Sequence, residues 1–116
     1  MRRQVGIVGA GITGLALATL LARDGWDVDV LEQSPSLGPV GAGFMLQHLG
    51  QQVTHRLGIG TALRERSSPI RHIDGRTVEG RPTMQFAYDD GVLGAEAWGV
   101  HRGDLFTLLP ELTEKL

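Results

Sequence analysis

Gln4-Val5-Gly6-Ile7-Val8-Gly9-Ala10-Gly11-Ile12-Thr13-Gly14 opens the stretch that decides the fold, and Asp27-Val28-Asp29-Val30-Leu31-Glu32 closes it. The apolar run Val5 to Val8 reads as a buried strand. It stops at a tight turn that Gly9 permits, while Gly11 lacks the Cβ that would hold backbone away from a phosphate. Gly14 lets the following helix pack closely on its strand. Leu15, Leu17, Ala18, Leu20, Leu21 and Ala22 make that helix apolar over most of its surface, and Arg23-Asp24-Gly25 ends it. Seventeen residues separate Gly14 from Glu32, enough for one helix, one turn and one strand. This spacing places a carboxylate where a ribose hydroxyl would lie, with a pyrophosphate at the helix N-terminus. Glycine spacing alone is weak evidence in a chain with 17 glycines. The strand-turn-helix context separates it from a βαβ unit that binds nothing. A carboxylate at this position repels a 2′-phosphate, so a free ribose 2′-hydroxyl is favoured over NADP, and FAD and NAD both fit.

The remaining composition excludes more than it assigns. At 116 residues the chain is one ordinary domain in size, though small for a dinucleotide fold built from two halves. Net charge of −2 and scattered arginines give no footprint for nucleic acid. With no cysteine there is no disulfide, thiolate nucleophile or Cys-ligated metal, which fits a cytoplasmic location. The glycines from Gly6 to Gly25 interrupt what would otherwise resemble a signal or membrane segment. A soluble protein with no membrane partner is expected.

Beyond Glu32, two prolines and three glycines between Gln33 and Gly43 read as a loop, whose Gly41 and Gly43 would let backbone approach a flat ligand. Phe44-Met45-Leu46 reads as a short strand or turn. Gln47 to Leu57 reads as a helix with Leu49, Val53 and Leu57 on its apolar face and Gly58 as C-cap. His48 and His55 lie seven residues apart, about 10 Å along a helix, and are read as solvated rather than metal-binding. Ile59 to Arg66 forms a short helix stopped by Ser67-Ser68-Pro69. From Ile70, extended pieces punctuated by Gly75-Arg76, Gly80-Arg81-Pro82 and Asp89-Asp90-Gly91 predict an antiparallel hairpin or meander, with Thr83 to Tyr88 the clearest strand. Trp98 is expected to be packed. Leu105, Leu108, Leu109 and Leu112 form one face of a final helix that Pro110 should break or kink.

Three segments together resemble the N-terminal part of the class A FAD-dependent aromatic hydroxylases, a family that includes p-hydroxybenzoate and salicylate hydroxylases. They are Gly9 to Gly14 with Glu32, then Gly41-Ala42-Gly43-Phe44-Met45-Leu46-Gln47 running into Leu57-Gly58-Ile59, then Val100-His101-Arg102-Gly103-Asp104-Leu105. The resemblance spans nearly the whole chain and favours FAD over NAD. It implies that Gly9, Ala10, Gly11, Thr13 and Gly14 surround the pyrophosphate, and that Glu32, with Gln33 beside it, holds the adenosine ribose. Ala42 and Gly43 would lie along the flavin, and Arg102 would reach its phosphate or ribityl region. A forked, permanently charged guanidinium suits that place. Relatives commonly carry Arg or Lys where Gln33 stands and proline where His48 stands.

The expected fold is α/β: an incomplete Rossmann-like βαβ dinucleotide-binding unit with an antiparallel β hairpin or meander and a C-terminal helix. Residues 1–66 would form the FAD-binding core and following helices, 67–99 a substrate-side antiparallel layer, and 100–116 the flavin-contacting turn and helix, all within one truncated domain. By resemblance the activity is NAD(P)H- and O2-dependent hydroxylation of an aromatic or similar small molecule. The family's later Asp-Gly and Gly-Asp motifs are absent from these 116 residues. A missing C-terminal portion or partner chain is therefore expected. His72, Asp89, Asp90 and His101 are isolated, so no catalytic residue is assigned. Two alternatives stay open, a non-catalytic module that folds with a partner and an NAD-binding dehydrogenase fragment.

Overall fold

The computed structural model describes residue 1 and residues 3–36, 41–88 and 96–113, with side chains as far as 109. Strand β1 (Gln4–Val8), helix α1 (Ile12–Arg23) and strand β2 (Asp27–Leu31) form the expected βαβ unit, with β1 and β2 parallel and in register from Gln4↔Asp27 to Val8↔Leu31. The expectation of a buried strand over Val5 to Val8 is corrected to a half-buried one: period-two alternation puts Ile7 and Val30 toward the core, while their neighbours Val8 and Leu31 remain 86% and 60% exposed on the opposite face. Helix α1 buries Leu15, Ala18 and Thr19. Thr19 sits mid-helix without an orphan hydroxyl, because its Oγ1 donates to the Leu15 carbonyl at 2.8 Å. Leu17 is 45% exposed, so the helix is less completely covered than its composition predicts.

A second sheet gathers β3 (Gly43–Leu46), β7 (Ala97–His101) and β4 (Ser68–Ile70) in the order β3-β7-β4, antiparallel throughout. Ser68-Pro69, expected only to stop a helix, thus belongs to a strand. Pro69 is tolerated because β4 is an edge strand, where a missing N–H need not break a ladder. Phe44, Leu46, Trp98 and Val100 share the face that packs on α2 (His48–Leu57) and α3 (Gly60–Glu65), against Leu57, Ile59 and Leu63. Trp98 is 5% exposed, with the His55 ring edge-on at 5.8 Å.

Two further expectations need correction. The buried face of α2 is Gln51, Thr54 and Leu57, whereas Leu49 and Val53 are 78% and 40% exposed. Polar Gln51 and Thr54 can be buried because each bonds backbone carbonyls, which apolar periodicity does not register. Helix α4 (Arg102–Thr113) also runs past Pro110 rather than breaking there. Leu105, Leu108 and Leu109 are buried in the common core, and that tertiary burial outweighs one lost backbone bond. Gly58 closes α2 at φ +84 as expected.

Strands β5 (His72–Arg76) and β6 (Pro82–Ala87) form the predicted hairpin, turned at Gly80 with φ +84 and bulged at Gly75/Arg76. Tyr88, 2% exposed, anchors its base through an edge contact with Phe86 and a 3.4 Å bond to Met45 Sδ. The molecule measures 60 × 32 × 23 Å, with a radius of gyration of 17.2 Å. A compact domain of this length would have about 13 Å.

Candidate functional site

Gly9 adopts φ +103, a conformation that side chains rarely permit, and its N–H donates to the Leu31 carbonyl at 2.7 Å. The turn is thereby tied to the end of β2. The glycines that follow have two different causes. A Cβ on Gly14 would lie 1.9 Å from the Gly9 carbonyl oxygen, so the fold itself demands glycine there. A Cβ on Gly11 would meet nothing within 4 Å, and its φ of −75 is open to any residue. Among the described residues nothing requires Gly11 to be glycine, whereas a ligand lying against this backbone would. Gly11 is the N-cap of α1, no side chain caps it, and no acidic residue occupies the first turn. The positive end of the helix is therefore left for an anion.

Glu32 closes the opposite wall. Its Oε2 accepts the Ala10 N–H at 2.7 Å and its Oε1 accepts the Ser34 N–H at 2.9 Å. These bonds, Ser34's first and then Ala10's, hold its carboxyl below the ordinary glutamate range, so it is ionised at neutral pH. The side chain is exposed, and a carboxylate has acceptor capacity beyond two bonds. Thr13 and Gln33 are exposed beside the turn and beside Glu32 respectively, while Ala10 is buried in the core.

The second constellation assembles around β3. Gly41 has φ +116, and a Cβ there would lie 3.3 Å from Arg102 Nη1 and 3.6 Å from its Cδ. The guanidinium thus lies over the Gly41 backbone, bringing together two residues far apart in sequence. Ala42 is exposed between Gly41 and Gly43, and Gly43 pairs with His101, its missing Cβ 3.0 Å from the Val100 carbonyl. Residues 37–40 of the same expected loop lie outside the described residues, as do Asp89 and Asp90. Arg102 starts α4, where Asp104 in the first turn offsets its charge against the helix dipole. Ala10 and Val100 belong to one buried cluster, so a single core supports both constellations.

An open cleft of about 470 Å³ runs along the face of β3-β7-β4 turned away from α2, and Arg66, Ser68 and His101 supply its polar side chains. Arg66 and Ser68 carried no signal in the sequence. They reach this cleft because β4 pairs with β7, a long-range event that local spacing does not encode. His72 stands apart, on the hairpin. Among the described residues no three potential metal ligands gather, and no helix is long and apolar enough to cross a membrane.

Residues 7–73 match a family model described as an NAD(P)-binding Rossmann-like domain. The chain is 35% identical over 113 residues to 3-amino-4-hydroxybenzoate 2-monooxygenase of Streptomyces cremeus, covering 94% of this chain and 29% of that protein. It is 36% identical over 114 residues to 6-hydroxynicotinate 3-monooxygenase of Pseudomonas fluorescens, covering 93% of this chain and 29% of that one. Among solved structures, the tetrameric form of 2-methyl-3-hydroxypyridine-5-carboxylic acid oxygenase superposes with a TM-score of 0.82 at 24% identity, over 98% of this chain and 29% of that chain. The last likeness speaks for the fold. The chain spans about three tenths of the length of the relatives it matches.

Proposed function

We propose that this chain, which belongs to the family of NAD(P)-binding Rossmann-like domains, is the FAD-binding segment of a flavin-dependent aromatic monooxygenase. The observation that carries the reading is the Arg102 guanidinium over Gly41. A nicotinamide dinucleotide needs only the Gly9–Gly14 turn and Glu32, whereas the longer reach of FAD would use Gly41–Gly43 and Arg102 as well. Gly9, Gly11, Gly14 and the N-terminus of α1 receive the pyrophosphate, and Thr13 stands beside it. Glu32 accepts from the adenosine ribose hydroxyls, with Gln33 at the edge of the nucleotide. Gly41, Ala42 and Gly43 offer exposed backbone to the flavin, and Arg102 supplies the cation for its phosphate or ribityl chain. The bound FAD would carry electrons from NAD(P)H to O2 and deliver one oxygen atom to the substrate.

The substrates named for the two relatives are hydroxylated aromatic carboxylates. We assign the same class to the complete enzyme, with the open β3-β7-β4 face turned toward the substrate side. The reducing cytoplasm, which supplies nicotinamide reductants, suits a chain without cysteine. The test is purification of the full chain with FAD, then desalting and a visible spectrum. A stoichiometric flavin band is expected, and a colourless protein that instead takes up NAD would overturn the assignment. A second reading, a module completed by further polypeptide, rests on Val8 and Leu31, exposed side by side on the open face of β1-β2. Size-exclusion and hydrogen exchange separate the two, since a compact, protected monomer counts against it.

A further inference from the structure

Gln51 is 5% exposed on α2, and its side-chain amide donates to the Leu46 carbonyl at 3.0 Å and to the Glu96 carbonyl at 2.9 Å. An amide nitrogen carries two donors, and both partners are carbonyls, so the orientation of the amide follows from what it touches. Leu46 ends β3, and Glu96 immediately precedes β7. The two strands pair from Leu46↔Trp98 at this end to Gly43↔His101 at the other, with Gly41 and Arg102 just beyond. The Glu96 carboxylate is engaged elsewhere, with Arg64 and with Arg71 at 3.6 Å, while its main-chain carbonyl accepts from Gln51.

A four-residue strand has few bonds with which to define its register. A slip of one residue would turn Phe44 and Leu46 out of the core and carry Gly43 away from His101. We propose that Gln51 is a positioning residue for the flavin site. By fixing Leu46 and Glu96 to α2, it sets the β3/β7 register in which Gly41–Gly43 meets Arg102. The proposal rests on the FAD reading of those residues and adds to it a remote buried group that touches no ligand.

Gln51→Leu keeps the volume and removes both donors. Arg23→Met is the matched control, because it removes two bonds to carbonyls, those of Arg56 and Leu57, that lie off the ladder. Amide exchange at Gly43 and His101 in the full chain, with FAD titration followed by flavin fluorescence and visible circular dichroism, reads the effect. Gln51→Leu is expected to accelerate exchange at Gly43 and His101 at least about tenfold. It should also weaken FAD at least about tenfold and alter the dichroism of the flavin that remains bound. Arg23→Met should lower the melting temperature while exchange at Gly43 and His101 stays as in the wild type. Equal exchange at those two amides in Gln51→Leu and wild type overturns the proposal, as does equal acceleration in both variants.

If Gln51→Leu does not fold, native-state exchange of the wild-type chain decides. Both ends of the ladder opening with one denaturant dependence support the clamp, and independent opening of the site end sinks it. Exchange needs no flavin, so a wild-type chain that retains none would defeat the site reading while leaving the clamp to be judged by its own data.

Discussion

Alanine at Gly14 and alanine at Gly11 are the same chemical change, and they should have opposite consequences. At Gly14 the new Cβ would sit 1.9 Å from the Gly9 carbonyl oxygen and must retreat by at least 1.1 Å to reach the 3.0 Å that real contacts tolerate. The obstacle is backbone held by the Gly9–Leu31 bond rather than a flexible side-chain tip, so relief means displacing α1 from β1. Overpacking of this kind costs about 3 kcal/mol, and the better helix propensity of alanine offsets about 1 kcal/mol of it. The net loss of about 2 kcal/mol should lower the melting temperature by about 8 °C. At Gly11 the Cβ meets no atom of the described residues within 4 Å and the backbone is already in an ordinary conformation. Stability should then change by no more than about 0.5 kcal/mol, while FAD affinity falls at least about tenfold because the methyl occupies the approach to the pyrophosphate. Thermal melts and flavin titration of the two variants side by side make the comparison. A Gly11→Ala protein that binds FAD like the wild type, or that melts as early as Gly14→Ala, refutes the division of labour between these glycines.

Glu32 adds a pH dependence whose sign follows from its bonds. Its folded-state pKa is depressed by the Ser34 and Ala10 N–H groups, so its contribution is present above the ordinary glutamate range and lost as pH falls through the depressed value. Melting temperature recorded against pH should decline over that acid window in the wild type, and Glu32→Gln should flatten this part of the profile. Arg102→Met, at an exposed position, is expected to weaken FAD at least about tenfold; unchanged affinity would remove Arg102 from the site. Leu63 is fully buried between α3 and the second sheet, so Leu63→Ala should cost about 3 kcal/mol in urea unfolding.

The βαβ unit was legible because its information is local. Val5 to Val8, the glycine turn, the apolar helix and Glu32 all act on residues within one supersecondary unit, and the strands, helix and C-caps fall where the pattern put them. The hairpin was legible for the same reason, with Gly80 at its turn. What escaped depends on pairing between distant segments. Ser68-Pro69 becomes a strand because β7 comes to lie beside it, and Gln51 is buried where the carbonyls of Leu46, at the end of β3, and of Glu96, just before β7, converge on its amide. Apolar spacing alone would have buried Leu49 and Val53 instead. Pro110 misled for a related reason, since local chemistry argued for a break that the burial of Leu105, Leu108 and Leu109 overrides. The resemblance singled out Gly41 and Arg102 separately, and their meeting is a long-range contact that local spacing does not encode, as is the arrival of Arg66 and Ser68 at the cleft.

The strand order β3-β7-β4 also has a consequence in time. Its middle member is made last, so β3 and β4 have no partner in this sheet until residues 97–101 have left the ribosome. The β1–β2 ladder can pair as soon as Leu31 emerges, but Gly43 cannot meet His101 for another seventy residues of synthesis. During that interval Phe44 and Leu46 lack the strand they pair with, and closure must join sequence-distant segments, the slow kind of folding step. Translation stalled before Ala97 should therefore yield a nascent chain without the second sheet, exposed to proteases and to chaperones at the same two apolar side chains.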